Sequence, residues 1–108
     1  MIMTTTDAIT GKRIVKTVGL VRGNTIRARH IGRDIMAVLK NIVGGEIHEY
    51  TKLMSESREQ ALDRMQAEAE KLGANAVICV RLTTSMLMGG AAELLAYGTA
   101  VIVEDCEG

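Results

Sequence analysis

Between residues 50 and 72, Tyr50, Leu53, Met54, Ser57, Ala61, Met65, Ala69 and Leu72 recur at the spacing of one helix face. Glu56, Arg58, Glu59, Asp63, Arg64, Glu68 and Glu70 fill the opposite face. The spacing predicts an amphipathic helix from Tyr50 to Leu72, with Arg64 and Glu68 placed to pair. Lys71 followed by Gly73 is a C-terminal stop. Ile31, Ile35, Val38, Leu39 and Ile42 predict an earlier helix over Ile31–Val43, opened by Asp34 and ended by Gly44-Gly45. Elsewhere the period falls to two. Arg13–Arg22 reads as a strand with Ile14, Val18 and Leu20 on one face, a bulge at Gly19 and a turn at Gly23-Asn24. Ile2–Thr6 suits a short edge strand, and Asp7–Gly11 a turn. Ala76–Thr84 reads as a strand with Ala76, Ile78, Val80 and Leu82 on one apolar face. Leu94–Glu104 pairs with it as a hairpin and bends at Gly98. The order strand, helix, helix, strand, strand predicts an α+β fold with an antiparallel-rich sheet.

The chain has 108 residues, which fits a single domain over 1–108. Its 13 basic and 13 acidic residues cancel, so no positive excess attracts nucleic acid. Apolar content of 47% at zero net charge argues against disorder. There is no Phe, Trp or Pro, so the core is built from Ile, Val, Leu, Met and Ala. Such a core favours added burial between subunits. No secretory signal opens the chain. The long apolar stretch Met86–Val103 is broken by Glu93 and three glycines, which does not suit a membrane span. Two cysteines without a disulfide framework fit a soluble protein in the reducing cytoplasm.

The side chains able to ligate a soft or divalent metal are His30, His48, Cys79, Cys106 and the methionines. None has a recognised ligand spacing. His48 lies between Glu46 and Glu49, a set suited to zinc or copper or to a solvated loop. Met86 and Met88 would face one way on a strand, as a thioether pair or as filling at a subunit contact. Cys79, mid-strand in an apolar run, reads as a buried thiol, and Cys106 as an exposed one. Arg22, Arg27, Arg29, His30 and Arg33 crowd around the expected first helix, where arginine forks suit phosphate or carboxylate, or pair with acids. Neither double glycine has the residues of a phosphate loop.

Several short runs together resemble one family. They are Ile31-Gly32-Arg33-Asp34-Ile35, Asn41 to Ile47, Tyr50, Arg58 with Ala61, Leu72 to Val77, and Tyr97 to Val101. The chain resembles the YbjQ-like, or UPF0145, proteins, whose label is heavy-metal binding. The resemblance covers nearly the whole chain. It implies an α+β subunit and a ring-shaped homo-oligomer, a pentamer, with strands meeting across subunits. The matching positions are not soft-metal ligands, so the resemblance implies no ligand set. Arg33 or Arg58 with Asp34 is a candidate structural or intersubunit ion pair, or part of a pore.

Three functions remain open. The first is a non-enzymatic oligomer holding a metal ion or small anion where subunits meet. The second is an enzyme of unknown class with an intersubunit site built from Arg33, Asp34, His30 or His48. The third is a structural ring that docks a protein on its outer helices.

Overall fold

The computed structural model describes residues 1–27, 48–86 and 92–106, with side chains in the helix described from Met54 onward. The helix expected over Ile31–Val43 and both double glycines lie outside the described residues. Five elements remain, β1 (Ile2–Met3), β2 (Lys12–Arg27), α1 (His48–Lys71), β3 (Ala76–Met86) and β4 (Ala92–Asp105). They make an α+β fold with one helix among the described residues.

The sheet order is β1-β3-β4-β2. β3 and β4 are antiparallel neighbours, as a hairpin requires, and β2 runs antiparallel along the far side of β4. β1 lies parallel to β3, with Ile2 opposite Ala76. The chain then continues beside β3, where Val80 N–H donates to Thr4 O and Cys79 N–H to Thr6 O, both at 2.9 Å.

Helix α1 packs across one face of this sheet. Ser57, Ala61, Met65 and Ala69 are buried at four-residue intervals, the inner stripe of the expected helix. They meet Val21, Val77, Val80, Leu94, Ala96 and Ala100. Met65 is the largest fully buried side chain. With no aromatic ring among the described residues of this cluster, the helix and sheet approach closely. Leu72 falls outside the stripe at 51% exposed, because the helix ends there. Gly73 takes φ +83°, and Ala74 N–H donates back to Ala69 O at 3.1 Å, the left-handed cap that ends a helix.

Three local expectations change. Gly23-Asn24 is not a turn, since β2 runs unbroken to Arg27. Gly23 instead lies under α1, where a Cβ would come within 2.3 Å of Ala61 O. The single β2 stripe is split by register shifts between Ile14 and Lys16 and between Thr17 and Gly19, the expected bulge. Val18 therefore packs toward the helix cluster, while Leu20 is 66% exposed on the other face. The apolar stripe of β3 is split as well. Ala76 and Ile78 join Val101 and Val103 in a second cluster, whereas Val80 joins the helix cluster. Between them Cys79 adopts φ +55°, and the pairing with β4 slips between Ile78 and Arg81. Leu82, beyond the slip, is 44% exposed.

Candidate functional site

Of the expected metal ligands, His30 lies outside the described residues. His48 opens α1, where only the backbone is described. Cys79 is half-buried on the β3 bulge and Cys106 is exposed just after β4. The register keeps these two thiols apart. Cys79 is level with Gly98, between the pairs Ile78–Thr99 and Arg81–Tyr97. Cys106 lies eight residues further along the β4 direction, about 26 Å away at strand rise. One metal ion cannot bridge them within a chain, since Zn–S bonds are about 2.3 Å. Among the described residues no three of His, Cys, Asp and Glu are placed to hold a metal ion. The described residues therefore do not fit a soft-metal site within one subunit.

Of the expected ion-pair residues, Arg33 and Asp34 lie outside the described residues. Arg58 is exposed on α1, with Nη2 donating to Ser55 Oγ at 3.3 Å. Arg64 does not pair with Glu68 in any described contact; its Nη1 donates to the Asn24 carbonyl on β2.

Several other cations have partners. Lys12 pairs with Asp105, and Arg13 with Glu104, across β2 and β4. The Lys12 hydrogen bond, and then its charge, hold the Asp105 carboxyl below the ordinary aspartate range. Arg13, Glu104, Asp105 and Cys106 line a depression at this end of the sheet.

The face of the sheet opposite α1 carries a row that sequence spacing does not reveal. Tyr97 on β4 is directly opposite Arg22 on β2 and directly opposite Arg81 on β3. Opposed residues in antiparallel strands share a face, so the three residues form one row on it, with the Arg81 head turned toward the outer edge of β3. The adjacent row, Gly23–Ala96–Leu82, lies on the helix side, which fixes Arg22, Tyr97 and Arg81 on the open side. Tyr97 is 37% exposed, and both arginines are exposed. The guanidinium of Arg81 is steadied by Nη1 donating to Thr5 O and Val80 O, at 2.9 and 2.8 Å.

No helix among the described residues is long and apolar enough to cross a membrane.

A small α+β domain with a helix on one face of a mixed sheet is the class this geometry defines. A family model described as "Putative heavy-metal-binding" matches residues 1–104. The chain belongs to that YbjQ-type family. It is 62% identical to a UPF0145 protein of Dehalococcoides mccartyi strain BAV1 over 104 residues, covering 96% of this chain and all of that protein. It is 59% identical to a UPF0145 protein of Methanosarcina acetivorans over 101 residues, 94% of this chain and 95% of the other. A UPF0145 protein of Archaeoglobus fulgidus is 58% identical over 101 residues, 94% of each chain. A crystal structure of a Pediococcus pentosaceus protein, described as of unknown function and of the DUF74 family, superposes with a TM-score of 0.63. That match covers 96% of this chain and 98% of the other at 16% identity, and it bears on the fold alone.

Proposed function

We propose that this protein is a non-enzymatic, self-assembling binding protein of the cytoplasm. Copies join head to tail through their sheet edges, and the junctions hold a small ligand. The observation that carries this reading is the pair of open edges. β2, 16 residues long, is paired only with β4, and β3 has no outer neighbour from Leu82 to Met86 among the described residues. Both edges bear exposed apolar side chains, Ile14 and Val15 on β2, and Leu82 and Met86 on β3. A long apolar edge is a template for another strand, and natural monomers cover or charge it.

The two open edges lie on opposite sides of the sheet, so the contact joins unlike surfaces. Such contacts close into rings when the rotation allows. Five subunits is the number the family resemblance implies. A metal ion at the junction draws its donors from two chains, with His30, His48, Cys79 and Cys106 as candidates. Arg33, Asp34 and Arg58 are the candidates for an intersubunit ion pair or small anion.

Native mass spectrometry of the untagged protein, alone and with zinc or copper, tests this. The expected result is a fivefold mass. Val15→Lys with Met86→Lys, both exposed positions, converts it to single chains. A single-chain mass for the wild type at micromolar concentration overturns the assembly. Metal in integer stoichiometry, lost on His48→Ala or Cys106→Ser, supports metal at the junction. A bare ring turns the ligand search to anions.

A further inference from the structure

We infer that residues 1–6 form a releasable strap on the outer edge of β3, latched by Arg81, whose local opening uncovers that edge and the Cys79 thiol while the rest of the sheet stays folded.

In a regular strand successive N–H groups point to opposite edges. The bulge breaks this rule. The pairing with β4 passes over Cys79, at φ +55°, and Val80, and the N–H groups of both point to the outer edge. The strap supplies their acceptors. Thr6 O takes the Cys79 N–H and Thr4 O takes the Val80 N–H, both at 2.9 Å. Thr5 O, between them, accepts from Arg81 Nη1 at 2.9 Å, and the same nitrogen donates to Val80 O at 2.8 Å. Three consecutive carbonyls of the strap are thus held by three consecutive residues of β3. Of the three donors only Arg81 is a side chain, and a charged donor makes the stronger bond.

Little else holds the segment. β1 has two residues, paired in parallel with Ala76 and Val77. Met3 packs against the helix cluster, but Met1 and Ile2 are exposed, as are Thr5, Thr6, Asp7 and Ala8. Ile9 then anchors the chain on the second cluster, so the hinge lies between Thr6 and Ile9. By contrast, β3 is paired with β4 along its length outside the bulge. Segments with few buried contacts and exposed hydrogen bonds open without global unfolding. Opening bares β3 from Ala76 to Val80, continuous with the stretch from Leu82 to Met86 that has no outer neighbour among the described residues. Covering an edge is one of the ways a sheet avoids unwanted pairing, and a cover latched by one guanidinium can be lifted. Cys79, half-buried, is uncovered in the same step. Strap, bulge and latch lie within one chain, so the inference does not depend on the assembly reading.

Hydrogen exchange of the full-length protein, resolved to single amides, tests it, with native mass spectra recorded on each variant. The Thr4, Cys79 and Val80 amides are expected to share one opening constant, roughly a hundredfold or more above that of Ala96 and Ala100, which are buried in the central strand. Urea at low concentration leaves the strap amides unchanged and speeds the other two, because a local opening exposes little surface. Arg81→Met speeds the three strap amides about tenfold and leaves Ala96 and Ala100 as they were. Arg81→Lys, which keeps a charged donor, falls between. Arg58→Met, which removes an exposed cation on α1, changes none of them. In a Cys106→Ser background, Arg81→Met raises the alkylation rate of Cys79 by the same factor as the amide exchange. An unaltered oligomeric mass shows that the variants fold. Strap amides that exchange only with global unfolding overturn the inference, as does an Arg81→Met variant that leaves them unchanged or speeds Ala96 and Ala100 equally. A Cys79 alkylation rate that does not follow the amides overturns the strap's control of the thiol. The strap stands or falls on these rates whether the protein proves monomeric or assembled.

Discussion

Gly23 on β2 and Ala61 on α1 are in backbone contact. A Cβ built on Gly23 would lie 2.3 Å from Ala61 O and 2.4 Å from Met65 N. The atoms it meets are backbone, which cannot rotate away. Gly23→Ala is therefore expected to push the helix off the sheet, beyond the roughly 1–3 kcal/mol usual for overpacking. Urea denaturation followed by circular dichroism checks this. A variant as stable as the wild type would mean that the helix has room to shift.

Asn75 holds the end of α1 to the start of the β3–β4 pair. Its Nδ2 donates to Val103 O at 2.9 Å, and its Oδ1 accepts from Val103 N–H at 2.8 Å. The amide thus replaces a missing strand neighbour for one residue of β4. Asn75→Ala leaves both Val103 groups without this partner and is expected to cost about 1–3 kcal/mol. Asn75→Asp retains the acceptor but not the donor, so it falls between the two in thermal melts.

Much of this fold is legible in the sequence, because periodicity survives wherever the backbone is regular. Ser57, Ala61, Met65 and Ala69 mark the buried face of α1 without ambiguity. Periodicity fails where one residue changes the count. Cys79 at φ +55° inverts the alternation of β3, and a cysteine gives no warning of a left-handed conformation, as glycine would. Leu82 keeps the helix-side face with Val80 and is nonetheless exposed, because it stands where β3 has no outer neighbour among the described residues. The same slip sets Arg81 opposite Tyr97, so the Arg22–Tyr97–Arg81 row follows from register and not from spacing. The arginine cluster near the first expected helix was visible, but only Arg22 of it has a described side-chain environment. Gly23 reads as a turn signal because a glycine required by a helix backbone looks the same as one required by a turn.

The Lys12–Asp105 pair predicts a pH dependence of definite sign. The Asp105 carboxyl is held below its ordinary range, so the folded state binds its proton less readily than the unfolded chain. The contribution is complete above the unfolded value near 3.9, and it is lost as pH falls through the lower folded value. Asp105 is exposed, so the effect is small and screened by salt. Lys12→Gln should flatten the acid limb of the melting temperature slightly, and 1 M sodium chloride should erase the difference. Equal acid limbs for both proteins at low salt would show that the pair does not favour the folded state.

The two thiols should differ in reactivity for a reason set by the backbone. Cys106 is exposed beyond the last strand, whereas Cys79 is half-buried and its N–H is held by Thr6 O. Reaction with a thiol reagent requires access as well as thiolate. Cys106 should therefore be alkylated first, in a fast phase removed by Cys106→Ser. The slow phase belongs to Cys79 and should accelerate in a chain lacking residues 1–6, because that segment lies along the bulge. If zinc or copper protects Cys106 from alkylation, the further donors are not Cys79 of the same chain, which lies too far along the sheet. If neither metal changes either rate, cysteine ligation is excluded. The histidines would then be the only soft donors left apart from methionine.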